Sequence, residues 1–105
     1  MSPLEKELET ALLDLYEKWK KYMPSKNRFL GMVQPGNAKT YKGPVGTVRH
    51  LLSGSASTGF IDLVQAKELE LTVEWLILHP KWLSLFTDSE LDVARTRVRG
   101  VLAAP

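Results

Sequence analysis

Apolar residues in the first twenty-two positions recur at helical spacing. Leu4, Leu8, Leu12, Leu15, Trp19 and Tyr22 form one stripe, which predicts an amphipathic helix from Pro3 to Tyr22 that stops before Pro24. Ser2 and Glu5 stand at capping-box spacing, and Pro3 suits the first helical position. Ser25 can cap a short second helix with Phe29, Leu30, Met32 and Val33. Residues 34–43 lack an apolar period and read as a polar, basic loop. A third helix follows from Pro44, with Val45, Val48, Leu51 and Leu52 inward, and residues 53–57 have the Ser/Gly chemistry of a linker.

Thr58 is placed to cap a fourth helix containing Phe60, Ile61, Leu63, Val64 and Ala66. Glu68-Leu69-Glu70-Leu71 alternates like a strand but has no partner, so it reads as an extended connector. Thr72 caps Val73–Leu78, which ends at His79-Pro80. Trp82, Leu83, Leu85 and Phe86 then form an apolar turn expected to dock on the core. Thr87-Asp88-Ser89-Glu90 is a second capping box, ahead of a last helix with Leu91, Ala94, Val98 and Val101 inward. The expected fold is a single all-α domain over 1–105, a bundle of about six helices with long first and last members.

The composition suits a folded globular domain: 44% hydrophobic and 25% charged residues in a chain of 105. With no cysteine, disulfides, thiolate metal sites and a cysteine nucleophile are excluded. The longest strongly apolar run, Leu76-Ile77-Leu78, is too short to span a bilayer, and the acidic N-terminus is unlike a signal or transit peptide. A cytoplasmic location and no membrane partner are the expectations. Oligomeric state is not legible.

Charge is distributed unevenly. The net charge is +2, yet Lys18 to His50 holds Lys18, Lys20, Lys21, Lys26, Arg28, Lys39, Lys42 and Arg49 with no acidic residue. A block of one sign creates a local field that net charge does not report. Within it, Gly43-Pro44-Val45-Gly46 leads into a helix N-terminus, where free N–H groups can meet a phosphate. The first functional expectation is therefore a non-catalytic, nucleic-acid-binding module that contacts backbone phosphates. Its candidate residues are Lys18, Lys21, Lys26, Arg28, Lys39, Tyr41, Lys42, Gly43, Gly46 and Arg49. Against it stands an ordinary turn whose glycines serve packing.

The alternative is a protein-interaction or regulatory module with Trp75, Trp82, Leu83 and Phe86 exposed as its docking patch. Arg95, Arg97 and Arg99 in the last helix read as a solvated face, with Asp92 and Arg95 able to pair and Arg97 pointing elsewhere. The inventory argues against catalysis. Two histidines, scattered hydroxyls and Glu68, Glu70 and Glu74 make no recognisable acid–base, nucleophilic or metal set, so neither a cofactor nor a metal is expected.

Several segments together resemble a widespread small bacterial domain. They are Gly43–Leu52, Gly59-Phe60 with Leu63, Leu69–Leu78 with Trp82, Leu85–Leu91, and Ala94-Arg95 with Arg97. The resemblance implies a prokaryotic helical module and, because that family has no assigned activity, no chemistry. Relatives carry a Gly-Gly pair and an alanine in the third helix, where this chain has Gly43-Pro44 and Val48.

Overall fold

The computed structural model describes residues 2–22, 33 and 43–103. Among these, five α-helices are joined by turns and two 3-10 helices, with no strand: α1 (Pro3–Trp19), α2 (Gly43–Leu52), α3 (Thr58–Gln65), η1 (Leu69–Leu71), α4 (Val73–Ile77), η2 (Pro80–Leu85) and α5 (Asp88–Leu102). The all-α architecture with long first and last helices is as expected. The second short helix and the polar loop lie outside the described residues, apart from Val33, which is helical and fully buried, and Gly43, which opens α2 instead of closing the loop.

The stripe on α1 seeds the core. Leu8 and Leu12 are fully buried, and Leu15, Tyr16 and Trp19 extend their face. They join Val48 and Leu52 of α2, Leu63 of α3, Val73 and Ile77 of α4, and Leu91 and Ala94 of α5 in one cluster. α1 packs against α2, η1 and η2, while α4 packs against α5 and both 3-10 helices. A radius of gyration of 13.0 Å matches the value of about 13 Å for a compact chain of this size.

Side-chain caps set most boundaries. Ser2 Oγ accepts from Glu5 N–H at 3.2 Å, satisfying one of the first-turn donors that a helix leaves open. α1 ends at Trp19 rather than Tyr22; the Tyr22 N–H bonds the Trp19 carbonyl at 2.9 Å in a tighter turn. α3 is capped by Ser57, whose Oγ accepts from Phe60 N–H at 3.1 Å, so Thr58 is its first residue and not its cap.

Past α3 the chain reverses through Lys67, which has φ 63°. Lys67 N–H bonds the Val64 carbonyl and Glu68 N–H the Leu63 carbonyl, the paired bonds of a Schellman ending. This reversal starts residues 69–71 in a 3-10 turn, in place of the extended connector their alternation suggests. Thr72 caps α4 through Trp75 N–H as expected. Thr87 and Glu90 complete a reciprocal capping box on α5, at 3.2 and 2.8 Å.

Candidate interaction surface

The anion-free block does not form a set of free cations where it is described. Lys18 Nζ lies 3.2 Å from Asp14, and Lys20 Nζ 3.1 Å from Glu17, both within α1. Arg49 leaves α2 to reach Glu90 on α5, with Nε 2.8 Å from Oε2. Lys21 stands over the ring of Tyr22, 5.8 Å from its centroid. Lys26, Arg28, Lys39, Tyr41 and Lys42 lie outside the described residues.

The glycine turn is packed rather than presented. Gly43 is buried and Gly46 half-buried. The Gly43 carbonyl accepts from Thr47 Oγ1 at 2.8 Å, also in the interior. Gly43 has φ +78°, and an added Cβ there would meet nothing within 4 Å. Glycine is therefore required at this position by backbone conformation, not by close packing of helices.

Arg97 is the most deeply engaged cation described. Its Nη1 donates to Glu74 Oε2 at 2.9 Å and to the Leu51 carbonyl at 3.0 Å, and its Nη2 donates to the Gly54 carbonyl. The Arg97 and Glu74 side chains are 10% and 4% exposed. One guanidinium thus joins α5 to α4 and holds the end of α2 and the linker after it. The linear pattern alone puts Arg97 on a solvated helix and Glu74 among unconnected carboxylates. The available signal was phase. Arg97 follows Ala94 by three and precedes Val98 by one, and Glu74 precedes Ile77 by three, so both sit beside buried positions.

The expected docking patch divides. Trp82 and Phe86 are core residues, 5% and 7% exposed, and Leu83 is half-buried. This corrects the reading of Trp82 and Phe86 as an exposed patch. The Pro80–Leu85 turn lays its indole into the interior against α1 and α4, where Lys81 covers the outer ring face at 5.1 Å. Trp75 does remain outside, at 39% exposure, on the side of α4 opposite Val73 and Ile77.

Besides Leu102 at the end of α5, two further large apolar residues outside the expected patch are exposed, Ile61 and Tyr22. Elements bearing these two and Trp75 converge on η1. α3, which carries Ile61, and α4, which carries Trp75, both pack on it. The end of α1 reaches it through Trp19 Nε1, which donates to the Leu71 carbonyl at 2.7 Å. Tyr22 Oη donates to Glu68 Oε1 at 3.0 Å. That hydrogen bond to a carboxylate holds the phenol above its ordinary pKa, with smaller contributions from desolvation and the Glu68 charge.

Arg95 pairs with Asp92 at 2.8 Å, as its spacing suggests. Among the described residues no three His, Asp or Glu side chains form a group able to hold a metal ion, and no helix is long and apolar enough to cross a membrane. No family model, curated protein or solved structure matches the chain.

Proposed function

We propose that the chain is a non-catalytic helical module that docks on a protein partner in the cytoplasm through the exposed apolar residues around η1, with Trp75 as the anchor. The single observation that carries this reading is the position of Trp75: a large side chain 39% exposed, while Trp19 and Trp82 are buried. Tryptophan repays burial at an interface more than most residues, because it brings large apolar area with little rotamer entropy to lose. Ile61, at 46% exposure on α3, and Tyr22, bonded to Glu68 at the start of η1, are exposed apolar side chains carried by the segments that meet at η1.

The test is affinity capture from cells that make the protein, using the wild type beside Trp75→Ala and Ile61→Ser. A specific partner that both variants lose, while their circular dichroism and melting temperature stay near wild type, supports the reading. A partner retained by both ends it.

A second reading, binding of nucleic-acid backbone, is favoured by the acid-free run from Lys18 to His50. It rests mainly on Lys26, Arg28, Lys39 and Lys42, because Lys18, Lys20 and Arg49 have carboxylate partners. Such binding would be tolerant of sequence and would weaken steeply with salt. Fluorescence anisotropy with labelled DNA and RNA at low and physiological salt separates the two readings. Absence of binding at low salt to either polymer removes this one.

A further inference from the structure

We propose that His79 is a proton-operated joint between α4 and η2: protonation of its imidazole releases the first turn of η2, the segment that seats Trp82 in the core. His79 is both the residue that leaves α4 and the N-cap of η2. Its Nδ1 accepts the Lys81 N–H at 3.1 Å, and its carbonyl accepts the Trp82 N–H at 3.0 Å. Because Pro80 has no N–H, Lys81 carries the first donor of the turn. His79 alone therefore serves the first two donors of η2.

The Nδ1 contact requires a lone pair, hence a neutral ring with its proton on Nε2. An imidazolium carries protons on both nitrogens and would meet the Lys81 N–H donor to donor. The cap therefore holds while the ring is neutral and is withdrawn when the ring is protonated, and imidazole is the side-chain type suited to such a switch.

The charged groups brought to this turn do not substitute for the cap. Lys81 Nζ points to Glu7 of α1 at 3.4 Å and lies over the Trp82 ring. Glu74 of α4 is buried against Arg97. The end of α4 offers carbonyls that would welcome a cation, but those of Trp75 and Leu76 already accept the N–H groups of Leu78 and His79. The five-residue helix behind them adds little dipole.

The experiment is a nitrogen-15 NMR titration of the whole chain from pH 8 to 5, for wild type and His79→Asn, following the Lys81 and Trp82 amides. Melting temperatures are measured at both ends of the range. Asparagine caps without titrating. In wild type, the two amides are expected to shift along the same curve as the His79 ring protons, and in His79→Asn to stay flat over that range. The wild-type melting temperature should fall about 2–6 °C further than the variant's on acidification. His50, the other of the two histidines, is common to both proteins and cancels. Amides that do not follow the His79 ring in wild type, or a melting difference that is the same at pH 8 and pH 5, would overturn the proposal.

Discussion

Arg97 and Glu74, twenty-three residues apart, form an ion pair at 2.9 Å between side chains that are nine-tenths buried or more. Two charges withdrawn from water are tolerable only when each is paired and its remaining hydrogen-bonding groups are used. Here the spare guanidinium protons go to the Leu51 and Gly54 carbonyls. The pair thus gives α4, α5 and the exit of α2 one mutual arrangement.

Removing one partner should be far worse than removing both. Arg97→Ala is expected to cost about 3–5 kcal/mol, because it strands the Glu74 carboxylate in the interior. The double replacement Arg97→Met with Glu74→Leu should recover much of that loss. Urea denaturation of the singles and the double completes the cycle. Additive losses would show that the two charges are not coupled.

The two tryptophans flanking His79 should respond in opposite ways. Trp82→Ala opens a cavity in the core and is expected to cost about 3–5 kcal/mol. Trp75→Ala removes a side chain that is 39% exposed and should cost clearly less, about 1–2 kcal/mol. Equal losses in denaturant melts would contradict the burial that separates them.

Lys67 occupies a left-handed conformation at φ 63°, which a side chain pays for and glycine does not. Lys67→Gly should therefore raise stability by about 0.5–1 kcal/mol, despite the added freedom of the unfolded chain. A lower melting temperature in the variant would mean that the Lys67 side chain makes an offsetting contribution.

Glu90 divides its carboxylate between two tasks, Oε1 closing the box on Thr87 N–H and Oε2 meeting Arg49. Thr87→Ala should cost about 1 kcal/mol through the lost cap. Arg49→Ala should cost less than about 1 kcal/mol, because the arginine is half in solvent and its pair is screened. Calorimetry on the two variants ranks these contributions, and a larger loss for Arg49→Ala would reverse the assignment.

Tyr22 should titrate above an ordinary tyrosine, because its protonated form donates to Glu68. A raised folded-state value means that the hydrogen bond contributes below the ordinary tyrosine range. That contribution is lost as alkaline pH removes the phenolic proton. Ultraviolet difference titration of wild type against Glu68→Gln reads this directly: the variant should ionise its phenol at lower pH. Coincident curves would show that Glu68 does not hold the proton.

Local order was written in the sequence because its causes are local. Leu8, Leu12 and Leu15 share a face at any place in the chain, and Thr87 finds Glu90 three residues on without help from another helix. The helical class, most of the core and the α4 and α5 caps follow from such spacing. The 3-10 form of residues 69–71 was hidden, because it depends on the Lys67 reversal, for which no glycine signals. The status of the charges was hidden as well. Linear clustering of Lys18 to Arg49 carries no information about the carboxylate on α5 that takes Arg49.

The chain by itself thus settled an all-α protein with one amphipathic stripe, sharp caps and an acid-free middle, since periodicity and capping act within a few residues. Only tertiary packing decided which tryptophan faces water, which arginine is buried and where Gly43 lies. Each of those outcomes depends on groups tens of residues away, and burial is a property of the neighbours an element meets rather than of its own sequence.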